Sequence, residues 1–318
     1  MADIVKEVSE AEARIRPHIR KTYLEHSPAY SEKYGSDVHF KLENLQHTGS
    51  FKARGAFSKI LSLREEERAR GVVTASSGNH GAATSFAMGK VGCSGMVFLP
   101  ENASPAKVDA IRRLGAEIRF HGTDSGKAEL AAIDFARDNN RTWVSPYNDV
   151  KVIGGQGTIG LELAQQHERL DAVFIAIGGG GLISGISAYL KSLWPEIKMI
   201  GVSPENSQVM IKSVEAGELL DIHSTDTLSD GTAGGVEPGA ITFPLVRDLV
   251  DQFVTVTEDE IATELREYMS LHHHMIEGAA AAAIAGFTKT AEQWQNKSVA
   301  IVICGANISL DTLKGVIG

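Results

Sequence analysis

Lys52 stands in the run Thr48-Gly49-Ser50-Phe51-Lys52-Ala53-Arg54-Gly55, where a glycine-containing turn delivers a lysine to the start of a helical pattern. Phe51 beside it helps to exclude water. Desolvation lowers a lysine pKa, and the neutral amine is the form that condenses with an aldehyde. Taken alone, the run is also what a surface lysine beside a helix cap looks like. A second run, Ser76-Ser77-Gly78-Asn79-His80-Gly81, follows a β-rich stretch and opens a helix. Small residues at such a turn present hydroxyls and backbone N–H groups to an anion, here a substrate carboxylate. The plain alternative is an ordinary N-cap, since Ser and Asn are preferred there.

Gly178-Gly179-Gly180-Gly181-Leu182 also lies between a strand pattern and a helix pattern. Glycines permit close backbone approach, and a helix N-terminus favours a dianionic phosphate. Gly178, Gly180 and Gly185 miss the spacing of a dinucleotide loop, and no Walker lysine follows. Cys304-Gly305-Ala306-Asn307 ends the last strand pattern, where a thiol could face a ring nitrogen or simply be a small buried hydrophobe. His272-His273-His274 suggests metal, but adjacent helical residues point in different directions and cannot converge on one ion.

These runs need elements to hold them. From Gly71 onward, short β-rich stretches alternate with longer helical ones, which predicts an α/β fold with parallel sheets. Strands are expected at 72–75, 96–99, 117–120 and 142–145, with helices near 81–90, 105–114 and 126–139. A second series has strands at 172–177, 199–202, 252–256 and 299–304, and helices near 183–193, 258–274 and 277–288. Another strand is expected at 38–41. The lobes are not sequential: residues 1–70 and 149–318 form a large domain, and 71–148 a small inserted one. Two open, twisted, mostly parallel sheets flanked by helices would then face each other across a cleft, a favoured ligand site.

Composition narrows the partners. The 318 residues are 43% hydrophobic and carry a net charge of −9, with no basic cluster interleaved with aromatics, so nucleic acid and anionic membrane are not expected partners. Two cysteines, Cys93 and Cys304, provide no disulfide framework and point to a reducing cytoplasm. The N-terminus is charged throughout, unlike a signal peptide, and the apolar stretch 278–287 is too short to cross a bilayer, reading instead as a packed internal helix.

In this order, the four runs resemble the fold-type II pyridoxal-5′-phosphate (PLP) enzymes, of the serine/threonine dehydratase and serine racemase family. Gly155-Gln156-Gly157-Thr158 adds a family-like element, and the resemblance extends from about Ile15 to Leu313. It implies that Lys52 holds PLP as a Schiff base and that Phe51 lies against the cofactor ring. Asn79 would bind the ring's 3′-oxygen, and Gly178, Gly179, Gly180, Gly181 and Leu182 the phosphate. Ser76, Ser77, Asn79 and His80 would close over the substrate carboxylate, Cys304 would face the pyridine nitrogen, and Glu277 would lie near the cofactor. The implied reaction removes water from a β-hydroxy amino acid, with Lys52 taking the Cα proton, to give a 2-oxo acid and ammonia.

Racemase-like relatives bind a divalent cation through acidic residues after the strand ending Gly201-Val202-Ser203-Pro204. Here Ser203, Ser207 and Val209 stand at those places with only Glu205 nearby, so no metal is expected, because hard cations need several oxygen donors. The chain also stops soon after Asn307, which implies a catabolic enzyme without a regulatory domain. Ser229–Gly239 is similar to dehydratases associated with hydroxyectoine use. The competing readings are a serine racemase, for which Ser77 would be the second acid/base, and a β-replacement synthase. A non-catalytic binding protein is disfavoured by Lys52 together with the complete carboxylate turn. The resemblance also implies a homodimer.

Overall fold

Valine, isoleucine and phenylalanine crowd the strand segments, as a pleated surface buried on both faces requires. The computed structural model describes residues 2–318. Among them the strands are β1 (Leu24–His26), β2 (Asp37–Leu42), β3 (Val72–Ala75), β4 (Gly95–Leu99), β5 (Glu117–Phe120), β6 (Thr142–Trp143), β7 (Ala172–Ala176), β8 (Lys198–Pro204), β9 (Gln252–Val256) and β10 (Ser298–Ile303). They form two sheets. The larger has the order β1-β2-β10-β7-β8-β9 and the smaller β5-β4-β3-β6. Every pairing is parallel except that of edge strand β1 with β2.

β2 pairs directly with β10, with Asp37 opposite Ser298, so the two ends of the chain meet in one sheet. The small sheet is built from the residues between. β7, buried at all five positions, forms the middle of the large sheet. The alanine-rich helix Gly278–Thr290 is buried along its whole length from Gly278 to Phe287 and packs on β7, β8 and β10. Its small side chains allow that close approach, as expected for 278–287.

The expected helices and the strands of both series are present with shifted ends. β8 runs on to Pro204 because its ladder with β9 continues to Val256. β6 stops at Trp143, since β3 supplies only two partners along that edge. Several elements went unexpected, among them β1, the first helix and the long helix Val150–Gln166. β1 is three residues long, and its Leu-Glu-His has no pronounced alternation to read. The first helix, Ala2–Ile15, is masked by its charges, although Ile4, Val8, Ala11 and Ile15 mark a buried stripe.

The two sheets present the carboxyl ends of their strands to a shared cleft. Ser76 follows β3, Gly178 closely follows β7, and Cys304 follows β10. Open α/β sheets bind ligands at such places.

Candidate active site

Lys52 opens the helix Lys52–Ser62. The segment before it is fixed by β10: Ser50 bridges to Gly305, and Phe51 N–H donates to Cys304 O at 3.0 Å. The Lys52 side chain is half-buried, with Nζ 5.2 Å from the centre of the Phe51 ring and donating to Pro146 O at 2.9 Å. Burial pushes its amine down to about 8, against the opposing pull of Cys304, Glu277 and Glu129. An amine near 8 is substantially neutral at physiological pH, the form that attacks a carbonyl.

The second residue after Lys52 anchors the helix. Arg54 is fully buried and holds Glu43 with two bonds (2.8 and 2.7 Å) and Glu162 with two more (2.8 and 2.9 Å). Lys41 on β2 and Arg16 each reach Glu162 at 2.6 Å. Lys52 therefore rides on a helix tied by a charged network to β2 and to the helix Val150–Gln166. Only the position of Arg54 beside Lys52 hinted at this in the sequence.

The tetraglycine run leaves β7 and opens the helix Gly181–Leu193, with Gly180 as its N-cap at φ 83°. Tyr147 lies against it: a Cβ on Gly179 would sit 2.4 Å from the Tyr147 ring. The glycines keep side chains away from a helix start, a place where a phosphate dianion is favoured. Leu182, the next residue, is buried in the core behind this loop.

Ser76, Ser77 and Gly78 form the turn between β3 and the helix Asn79–Val91. Ser76 Oγ accepts from Gly78 N–H at 3.1 Å. The turn folds back tightly, since a Cβ on Gly81 would lie 1.9 Å from Ser76 O. Ser76, Ser77 and Asn79 line the cleft half-buried. His80 does not put its ring there. It is buried, and its Nε2 contacts Val144 O at 2.9 Å, so only its backbone N–H belongs to the turn. Burial, with Lys52 adding to it, pushes this imidazole down to about 3 and keeps it neutral.

Glu277, whose part the sequence left open, is the hub between the sheets. It is buried, and Asn79 Nδ2 donates to both its carboxylate oxygens at 3.0 Å. Asn307 N–H donates to Oε2 at 3.1 Å, and Asn307 Nδ2 donates to Asn79 Oδ1 at 2.6 Å. Cys304 is buried with Sγ 3.8 Å from Glu277 Oε1. Burial first, and Glu277 next, push that thiol well up, so it stays neutral.

Three side chains of the cleft wall escaped the sequence reading. Glu129 comes from the helix Ser125–Asp138; burial and the nearby Glu237 push its carboxyl up to about 7, with Lys52 opposing. Glu237 is itself raised by burial. Tyr147 accepts from Glu237 N–H at 2.8 Å. Nothing local marked them, because three separate segments bring them together. The remaining motifs lie elsewhere. Ser203 Oγ donates to Ile177 O at 3.1 Å, and Ser207 pairs with Ser224 at 2.8 Å. Val209 is buried and Glu205 exposed. His272 contacts Ser27, while His273 caps its helix in a left-handed conformation.

The donor set fits PLP: a lysine with a lowered pKa, a glycine nest for the phosphate, an amide at Asn79 and a neutral thiol at Cys304. Comparison with known proteins agrees. The family described as pyridoxal-phosphate dependent enzyme matches residues 15–305. An L-threonine ammonia-lyase of Thermotoga maritima is 39% identical over 313 residues, 98% of this chain and 78% of that one. Threonine deaminase isoform 2 from Solanum lycopersicum superposes with a TM-score of 0.95 at 30% identity, covering 99% of this chain and 93% of that one. Serine racemase from Dictyostelium discoideum gives 0.90 at 36% identity, covering 96% and 99%. The chain belongs to the family of pyridoxal-phosphate dependent enzymes.

Proposed function

We propose that the protein eliminates water from a β-hydroxy amino acid of the L-threonine or L-serine type and releases a 2-oxo acid and ammonia. The observation that carries this reading is the convergence on one cleft of Lys52, the glycine nest and the Ser76–Asn79 turn. The threonine ammonia-lyase and threonine deaminase relatives support it.

When bound, PLP supplies the electron sink that permits a Cα–H bond to break. Gly178 through Gly181 would hold the phosphate, Phe51 would lie against the ring, and Asn79, whose amide also holds Glu277, would donate to the ring's oxygen. The Ser76 and Ser77 hydroxyls, with the N–H groups of Asn79 and His80, bind the substrate carboxylate and orient Cα. Lys52 Nζ accepts the Cα proton, for which an amine near 8 is suited. Cys304 offers a neutral neighbour for a ring nitrogen rather than a counter-charge. Glu129 and Glu237 make the opposite wall acidic, which disfavours a carboxylate on the substrate side chain.

Serine, threonine, hydroxyaspartate and phenylserine assayed for 2-oxo acid formation test this. Serine or threonine should be turned over and hydroxyaspartate should be the poorest. Conversion of L-serine to D-serine without 2-oxo acid would make it a racemase, with Ser77 as the second acid/base. A new amino acid formed on adding sulfide would make it a β-replacement synthase. No helix among the described residues is long and apolar enough to cross a membrane. A cytoplasmic homodimer completes the proposal, supported by two free buried cysteines and by the exposed Leu310 and Ile317 on the last helix.

A further inference from the structure

Away from the cofactor cleft, the edge of the large sheet gathers three imidazoles around one carboxylate. Asp37 and His39 project from the same face of β2, two residues apart. His26 on β1 is the direct cross-strand partner of His39, with ring centres 5.3 Å apart. His167 caps the C-terminal end of the helix Val150–Gln166, and its ring meets His39 edge-on at 4.9 Å. Around Asp37, His39 Nε2 lies at 3.0 Å, His26 Nε2 at 3.5 Å and His167 Nε2 at 3.7 Å.

We propose that Asp37, His39 and His167, with His26 beside them, bind one borderline divalent transition-metal ion, zinc being the best match. Bonds of about 2.0–2.1 Å at tetrahedral angles set donor atoms about 3.3 Å apart. The observed separations bracket that value, and one donor atom from each of Asp37, His39 and His167 lies within 4.8 Å of the others. His39 Nε2 is buried, yet the nearby carboxylate lies off the line of an N–H···O bond, leaving this nitrogen without a hydrogen-bond partner. A nitrogen and an oxygen at this separation but out of line suit a shared ion between them.

The surroundings complete the site. Ser298 Oγ donates to Asp37 Oδ2 at 2.7 Å, an outer contact that orients this ligand. Asp37 and His26 are each about half exposed, at 49% and 48%, so the ion has an open route from solvent and room for a water ligand. Imidazole-rich donors select zinc, nickel or copper over magnesium or calcium. The ion would clamp the short edge strand β1 and the end of the Val150–Gln166 helix onto β2.

The test is calorimetric titration of EDTA-stripped, dialysed holoenzyme with zinc chloride, together with its melting temperature. We expect one zinc per chain, a melting temperature that rises with zinc, and no competition from magnesium. His167→Gln and Asp37→Asn should abolish the zinc-dependent rise, and Ser298→Ala should weaken binding roughly 10- to 100-fold. Because Ser298→Ala removes only a hydroxyl and no ligand, it keeps the test meaningful should a ligand variant misfold. Absence of saturable zinc binding would overturn the proposal. So would binding unchanged in a His39→Gln/His167→Gln variant, since another group would then hold the ion.

Discussion

Replacing Arg54 with methionine should loosen the support under Lys52 more than any exposed charge change. The guanidinium makes two paired contacts, one with Glu43 and one with Glu162, and all three side chains are fully buried. Without it, Glu162 keeps Lys41 and Arg16, but Glu43 keeps only the Thr22 hydroxyl at 2.6 Å. Removing one partner of a buried ion pair costs about 3–5 kcal/mol. For a chain of 318 residues, each kcal/mol moves the melting temperature by roughly 2 °C, the low end of the range for smaller domains, so the drop should be about 6–10 °C. Adding Glu43→Gln to the variant should recover part of this, because the stranded charge is removed. The assay is thermal unfolding of the holoenzyme, with the visible absorbance of the lysine-bound cofactor followed in parallel. The variant should also need more PLP to saturate. A melting temperature within about 2 °C of wild type would refute the anchoring argument. The pH dependence has a definite sign. Burial pushes the Glu162 carboxyl up, but Arg54 and Lys41 pull it further down, below its ordinary 4.5. The folded chain then holds fewer protons than the unfolded one. This contribution is present above about pH 4.5 and is lost as pH falls through the lower folded value. The variant should therefore show a shallower acid limb.

Two further outcomes follow from the cleft. Gly179→Val should abolish PLP binding with the fold retained, because a Cβ there would lie 2.4 Å from the Tyr147 ring; equilibrium dialysis against PLP reads this, and unchanged affinity would exclude the loop from the phosphate site. The rate at which apoenzyme recombines with PLP should rise with pH and reach half its maximum near pH 8, where Lys52 loses its proton, whereas a midpoint near 10 would mean an unperturbed lysine.

Much of this site was legible in the sequence because its pieces are local. Lys52, the Ser76–His80 turn and Gly178–Gly181 each sit at the start of a helix, where a short run dictates both backbone shape and chemistry. The alternating strands and helices likewise announced two parallel sheets, with β2 joining the later series. What stayed hidden depends on distant packing. Glu129, Tyr147 and Glu237 share a wall only because the small sheet faces the large one. The burial of Arg54 was unreadable too, since its partners Glu43 and Glu162 come from separate segments. The direction of the His80 ring was equally hidden, since Val144 O, which receives it, lies at the end of the small sheet's last segment.

The central claim is that Lys52 carries the cofactor. Borohydride reduction of the holoenzyme, followed by proteolysis and peptide mass spectrometry, tests it directly. The account predicts one pyridoxyl adduct per chain, on Lys52, and loss of both the adduct and the visible band in Lys52→Ala. An adduct on any other lysine of the native enzyme, or a reducible visible band that survives in Lys52→Ala, would contradict it.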